Sequence, residues 1–532
     1  MFTNLYRAAF VAAFLSLAGA EAMAKTRNAT ARFDVAEKSI AQLQQAMSSG
    51  RTSCVEITRQ YLARIKAIDR AGPRLNSVIE VNPDALKIAE ALDRERKAKG
   101  PRGPLHGIPV LIKDNIATDD RMQTTAGSLA LVGAKAAHDA FLVTKLRDAG
   151  VVILGKTNLS EWANIRSTRS TSGWSSRGGL TRNPYALDRN TSGSSSGSGA
   201  SIAASLAAIA VGTETDGSIT SPSSVNGLVG IKPTLGLVSR SGVIPIAFSQ
   251  DTAGPMARSV ADAAALLTAM AGSDPKDAAT ADASVKASDY SAALDRNALK
   301  GARLGVVKKQ FGGRNDLASA EVMKAIEAMK AAGAVIVEVD EVPNQDRYSK
   351  SELTVLYYEL KAAMAMYLAE YAPTAKVKTL EDIVAYNEKN KAKVMPWFGQ
   401  EHFIEAAKKG GLDTPEYVEA LANDRRYSRE EGIDKVLREN DLDALVAPTG
   451  SPAWMTDFVR GDAAGGSFTS PAAVAGYPHI TVPAGFVHGL PCGISFVGTA
   501  WSEPKLVALA YAFEQATKYR RAPTYPKTVN DW

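Results

Sequence analysis

Cysteine and histidine are scarce in this 532-residue chain: two cysteines, Cys54 and Cys492, and five histidines, His106, His138, His402, His479 and His488. Two cysteines make no disulfide framework. They could pair only if folding brought their Cα atoms within about 7 Å. Cys54 sits in a stretch of helical periodicity that suits a small buried hydrophobe. The histidines show no H-E-x-x-H pattern and no close pairing, so no zinc site and no other metal is expected. G-x-x-x-x-G-K-[ST] is absent, which excludes P-loop nucleotide chemistry. No apolar run reaches the roughly 20 residues of a membrane span, so no stable membrane anchor is expected. Lysine and arginine are scattered, and no basic run is interleaved with aromatics. A formal net charge of +6 therefore does not indicate nucleic-acid binding.

What is present is a globular composition, 45% hydrophobic and 22% charged. Arg7, the apolar run 8–18 and Ala22-Met23-Ala24 have the shape of a secretory signal peptide with an A-x-A cleavage site. The reading is a signal peptide over 1–24 and one catalytic domain over 25–532, placed in the periplasm or medium. No fixed-period repeat and no long linker divides the remainder. Helical stripes are expected over 34–69 and 83–99, with Ser53 as a candidate cap. Strands are expected over 110–112, 151–154 and 442–447, and a strand–helix–strand unit over 303–339. This alternation is of α/β type.

The chain is organised around residues 193–220. A Ser/Gly run, Gly193-Ser-Ser-Ser-Gly197, leads into an Ala-rich stretch suited to a buried helix. A short strand at 208–211 and a polar turn ending at Gly217-Ser218 follow. A flexible linker would explain the Ser/Gly run alone, but a linker does not continue into buried-helix density. Gly193–Gly197 also fits the G-x-S-x-G nucleophile elbow. That elbow needs a strand immediately before it, and residues 181–192 are turn-like. Upstream, the apolar strand 110–112 ends at Lys113. A lysine there could be a snorkelling side chain whose stem lies on the core.

These segments resemble the signature of the amidase-signature hydrolases. That signature is a Gly-Ser-Ser-Gly-Gly-like loop, an Ala-rich helix, and Gly-Thr-Asp-x-Gly-Gly-Ser-Ile. Here Ser194 and Ser218 stand 24 residues apart, as in the family. Gly107-Ile-Pro-Val-Leu-Ile-Lys113-Asp114 matches the family's Gly-x-Pro-x-x-x-Lys-Asp. The resemblance covers about residues 34–523. It implies one large α/β domain, a mixed twisted central sheet of about a dozen strands covered by helices on both faces. It also implies a Ser–cisSer–Lys triad. Ser218 would be the nucleophile, Ser194 (in a cis peptide) the proton shuttle, and Lys113 the base. Burial would lower the lysine from about 10.4, so that a neutral amine can accept the proton. Thr215, Asp216, Gly217 and Ser218 would supply oxyanion donors, with Ser195 in support. No cofactor is implied, and a Ser-His-Asp triad becomes unnecessary.

One departure stands out. Most family members have Gly-Gly-Ser where this chain has Asp216-Gly217-Ser218. That variant, with Leu159–Asn164, Ser172–Gly179 and Gly498–Lys505, is most similar to the bacterial peptide amidases within the family. The similarity implies a monomeric amidase that releases ammonia from C-terminal peptide amides. Two alternatives are an A-subunit-like component of an amidotransferase and an exported amidase for small aliphatic or aryl amides. The signal-peptide shape weighs against the amidotransferase, and the intact Lys113/Ser194/Ser218 set weighs against a non-catalytic binding protein. Native exported protein should begin at Lys25; N-terminal sequencing that finds Met1 in place would overturn the export expectation.

Overall fold

Apolar periodicity places the first helices. The structure, a computed structural model, describes residues 33–312 and 316–529. The expected signal segment 1–24 lies outside them. Helix α1 (Ile40–Ser48) buries Ile40, Leu43 and Met47, and α2 (Cys54–Arg64) buries Ile57 and Tyr61. Ser53 caps α2, its side chain accepting from the Glu56 N–H at 3.2 Å. Next come β1 (Val78–Val81), α3 (Ala85–Lys99), β2 (Pro109–Lys113), α4 (Phe141–Asp148) and β3 (Val152–Thr157).

The organising stretch supplies α5 (Ser196–Ala203), β4 (Ile209–Glu214) and α6 (Thr220–Val225). Here the boundaries differ from expectation. The helix starts inside the Ser/Gly run rather than after it, and it stops at Ala203, before most of the Ala-rich stretch. Serine hydroxyls explain the start. Ser196 donates to Ser192 O at 2.6 Å and Ser198 to Val211 O at 3.1 Å, so polar groups that usually compete with a helix are satisfied by their surroundings. Ser205, at φ 53°, marks the turn beyond.

Apart from a separate short pair, Trp174–Ser175 with Gly179–Leu180, the remaining strands are β5 (Val229–Lys232), β6 (Thr252–Ala257), β7 (Arg303–Val307), β8 (Val335–Val339), β9 (Ala444–Pro448), β10 (His479–Val487) and β11 (Leu490–Val497). They form one mixed sheet of 11 strands in the order β1-β3-β2-β4-β6-β5-β10-β11-β9-β7-β8. The expected dozen was close. Two parallel blocks, β3-β2-β4 and β9-β7-β8, flank an antiparallel middle. Helices surround the sheet, among them α7 (Val260–Met270), α8 (Asp316–Ala331), α9 (Gln345–Glu370) and α10 (Glu503–Thr517). One apolar cluster runs from Val35 to Phe513, the mark of a shared core. Among the described residues no helix is long and apolar enough to cross a membrane. Cys54 and Cys492 are both buried and unpaired.

The start of α5 is pressed against the end of β3. Gly197 N–H donates to Asn158 O at 2.9 Å. A Cβ on Gly197 would lie 2.2 Å from Ser77 O and 2.5 Å from Asn158 O, both main-chain atoms. Backbone cannot give way as a side chain can. Gly197→Ala should therefore cost about 1–3 kcal/mol, read as a fall in the denaturant midpoint; an unchanged midpoint would contradict this packing.

Candidate active site

In the parallel block β3-β2-β4 every strand ends on the same edge. Ligand sites of α/β sheets collect outside such carboxyl ends. Lys113 is the last residue of β2, paired in register with Thr157 at the end of β3. Its side chain is fully buried. Nζ lies 2.7 Å from Ser194 Oγ, 2.8 Å from Thr213 Oγ1 and 3.2 Å from Thr213 O. All three neighbours are neutral oxygens. The structure thus brings Lys113 and Ser194 together, as their motifs imply.

The loop carrying Ser194 is held from both sides. Ser194 O accepts from Ser160 N–H at 3.1 Å, and the Gly193–Ser194 peptide is cis. Ser195 turns inward. Its hydroxyl donates to Thr213 O at 3.0 Å and accepts from Thr213 N–H at 3.2 Å. Its own N–H donates to Ser218 O at 3.2 Å. Ser195 therefore ties the Ser194 loop to β4 and to the Ser218 turn through contacts that leave its hydroxyl fully engaged.

The turn 215–218 leaves the end of β4. Gly217 has φ +77°, a left-handed conformation that favours glycine, and a Cβ there would meet Ser221 Oγ and Thr469 Oγ1 at 3.1 Å. Thr215 Oγ1 donates to Asp251 Oδ1 at 2.6 Å, and Asp251 Oδ2 accepts from Ile246 and Ala247 N–H. Glu214 Oε2 accepts from Ile219 N–H at 2.7 Å and Thr220 N–H at 2.9 Å, where α6 begins. The N–H groups of Asp216, Gly217 and Ser218 donate to no protein acceptor among the described residues. The side chain of Asp216 accepts from Ser470 Oγ instead of facing the serines. Ser218 is 8% exposed while Lys113 and Ser194 are 0% exposed, so Ser218 is the outermost of the three.

Burial pushes Lys113 down from 10.5 to about 7, against the opposing pull of the Asp251 and Glu214 charges. Burial likewise raises Asp251 to about 6. Lys156 and Lys232 are also fully buried and lowered to about 8. Neither reaches a serine: Lys156 Nζ donates to Ile116 O and Thr124 Oγ1, and Lys232 Nζ to Pro233 O. A histidine–serine pair does exist, His479 Nε2 with Ser495 Oγ at 2.6 Å. Both residues are fully buried within β10 and β11, which bars substrate from that serine. Sequence reasoning missed Thr213, Asp251 and Glu214. Thr213 and Glu214 lie inside the signature itself, next to the quoted turn; Asp251 carries no local signal.

A lysine held near neutrality against a serine, with a second serine beside free N–H groups, is a constellation for acyl transfer. The family model described as "Amidase" matches residues 56–507. The chain belongs to the amidase family. This amidase is 51% identical to the peptide amidase of Stenotrophomonas maltophilia, with a TM-score of 0.88, covering 92% of this chain and 99% of that one. A structure of peptide amidase PAM with the competitive inhibitor chymostatin gives 51% identity and a TM-score of 0.89, covering 92% and 100%. A probable amidase of Arabidopsis thaliana is 43% identical over 504 residues, 93% of this chain and 92% of that protein. The glutamyl-tRNA(Gln) amidotransferase A subunit of Pseudomonas syringae is 34% identical over 501 residues, 92% and 99%. The protein is an amide-hydrolysing enzyme with the family's fold.

The buried amine has a stability signature. Between pH 10.5 and about 7 the unfolded lysine is protonated and the folded one is not. The unfolded state then binds more protons, so wild-type stability falls as pH falls, by about 1.4 kcal/mol per unit from this group. Below about 7 both states are protonated and the loss is complete. Lys113→Met removes this slope. Denaturant midpoints should show the variant gaining on wild type as pH drops from 10 to 7; a pH-independent difference would contradict a neutral buried lysine.

Proposed function

We propose that this amidase hydrolyses carboxamides through an acyl-enzyme on Ser218, with Ser194 relaying the proton to Lys113. The observation that carries the reading is the 2.7 Å contact between Lys113 Nζ and Ser194 Oγ, made by an amine that burial holds near neutrality. A neutral amine has two N–H bonds and one lone pair. Donating to Thr213 O and Thr213 Oγ1 leaves the lone pair for the Ser194 hydroxyl. Ser194 gives its proton to Lys113 and takes the one from Ser218. Ser218 Oγ bonds to the carbonyl carbon, and the oxyanion is met by N–H groups of the Thr215–Ser218 turn. Proton return through Ser194 to the leaving nitrogen releases ammonia as the C–N bond breaks. Water then attacks the ester by the same relay and frees the acid. After the first transfer the ammonium has three N–H bonds for the same three oxygens, so the cradle suits both states of the lysine.

C-terminal peptide amides are the proposed substrates, supported by 51% identity and a TM-score of 0.88 to a solved peptide amidase. The enzyme would act as a monomer, as the resemblance to the peptide amidases implies, and outside the cytoplasm, a reading supported only by residues 7–24. The 34% identity to an amidotransferase A subunit favours a second reading, activity within a complex, which co-purification of a partner chain would support. A panel of peptide amides, fatty amides and aryl amides assayed for ammonia release tests the substrate. Peptide amides should give the highest kcat/KM; preference for another class overturns the assignment.

The same assays test the relay. General-base assistance is worth about 10²–10⁴-fold. Ser218→Ala should be the most damaging single change. Lys113→Ala with Ser194→Ala should be little worse than Lys113→Ala alone, because the groups act as a unit. With the base neutral only above its pKa, kcat/KM should rise with pH through an apparent midpoint near 7. Asp251→Asn removes a charge that raises Lys113, so the limb should move to lower pH. Acyl-enzyme formation lost in Ser195→Ala but kept in Ser218→Ala would overturn the mechanism.

A further inference from the structure

Three consecutive residues beside the Ser194 loop take a backbone conformation that side chains avoid. Trp162, Ala163 and Asn164 stand at φ 52°, 54° and 74°. Residues with a Cβ visit this left-handed region singly, not in runs. Such strain persists only where the surroundings over-determine it, and it gathers at functional sites.

The turn meets the Ser194 loop at both of its ends. At its entry, Ser160 N–H donates to Ser194 O at 3.1 Å, and Ser160 Oγ accepts from Gly173 N–H at 2.9 Å. At its exit, Asn164 Nδ2 donates to Ser172 Oγ at 3.1 Å. Both serine hydroxyls pack on the residue before Ser194. A Cβ on Gly193 would lie 2.2 Å from Ser160 Oγ and 3.1 Å from Ser172 Oγ.

An ion pair crosses the base of the turn. Glu161 and Arg166 have fully buried side chains, and Arg166 Nη1 donates to Glu161 Oε1. Residues five apart point about 140° away from each other round an α-helix. The left-handed residues between them let them meet. Glu161 Oε2 accepts from Ser176 N–H at 2.5 Å, which fixes the far side of the same loop. Arg166 Nη1 also donates to Val394 O at 2.8 Å, and its guanidinium lies 4.4 Å from the centre of the Phe398 ring. Trp162 is anchored separately: its N–H donates to Ala126 O and its ring meets Phe403 edge-on.

We infer that Glu161 and Arg166 are positioning residues for Ser194: their pair fastens the left-handed turn, and the turn sets the Ser194 hydroxyl against Lys113 Nζ. The inference rests on the relay proposed above. In that relay neither residue touches a reacting atom, so its effect on turnover passes through the shuttle. A plain core ion pair would support the fold alone. The two roles differ in what happens once residue 194 has no hydroxyl.

Arg166→Met alone would strand the buried Glu161 charge, so the test removes both charges at once, in Glu161→Gln/Arg166→Met. On one carboxamide kcat should fall about tenfold or more while KM stays within about threefold, since a misplacement of about 1 Å can cost about 100-fold. In Ser194→Ala the same two changes should alter kcat less than about twofold, because the positioned group is gone. An equal loss in both backgrounds, or no loss in the first, overturns the inference. If the double variant does not fold, Arg166→Lys takes its place. It keeps the charge without the planar fork, and a several-fold fall in kcat should again need the Ser194 hydroxyl. Hydrogen exchange reads the clamp without turnover. In the variant the Ser160 amide should exchange about tenfold faster or more, with α7 and α10 unchanged. Protection kept at Ser160, or lost throughout, overturns the clamp, and this measurement decides where Ser194→Ala is too slow to assay. Without turnover of any carboxamide the relay itself fails, and exchange at Ser160 alone then upholds or overturns the clamp.

Discussion

The active-site edge depends on burying one amine without a carboxylate against it. Lys113 is enclosed at the end of β2 and touches only neutral oxygens, those of Ser194 and Thr213. Desolvation disfavours its charge, and a carboxylate at contact distance would restore it. The geometry follows from that exclusion. Thr213 offers its main-chain and side-chain oxygens from the neighbouring strand, and Ser195 holds the same Thr213 by accepting and donating at once. Moving β4 by one residue along β2 would break the cradle and the Ser194 contact together. The parallel register of β2 and β4 thus sets the contacts of Lys113 as well as the sheet.

Much of this was legible in the sequence because it is local or framed by motifs. Lys113 follows an apolar strand, and Ser194 and Ser218 stand at a fixed interval. The strand–helix–strand unit of β7, α8 and β8 falls within a few residues of its expected bounds. The errors have physical causes. A Ser/Gly run has low helix propensity in isolation, yet Ser196–Ala203 is helical, since main-chain oxygens of Ser192 and Val211 take the Ser196 and Ser198 hydroxyls and the absence of side chains at Gly197 and Gly199 lets the end of β3 and Asn226 approach. Thr213 escaped notice because nothing in one sequence says which strand will lie beside β2. Asp251 carries no local motif, and no spacing rule says that it will fold against Thr215.

The site also separates exposure from basicity. A base must be dry to be neutral, while a nucleophile must be reachable. One residue cannot satisfy both, and in the proposed relay two serines would divide the demands. Ser194 is as buried as the lysine, and Ser218 is the member that solvent touches. Ser195 keeps the halves in one frame, since its N–H holds Ser218 O while its hydroxyl holds Thr213. A substitution in the frame would disturb relay geometry without touching a reacting atom. In the proposed relay a fully engaged serine next to the shuttle would therefore be a positioning residue and not a second nucleophile.

Asp251 completes the balance. Burial alone would carry Lys113 lower than it stands; the charges of Asp251 and Glu214 oppose that fall. Neither carboxylate touches the amine. Asp251 is committed to Thr215 and to the Ile246 and Ala247 N–H groups, and Glu214 to the N–H groups of Ile219 and Thr220. Each thus shapes the backbone around Ser218 while its field acts on Lys113. A base driven far below neutral pH would be unprotonated but too weak to take a serine proton, and one left near 10.5 would be occupied already. The two carboxylates couple the shape of the turn to the strength of the base, so a change that loosens the turn also changes the proton affinity at its far end.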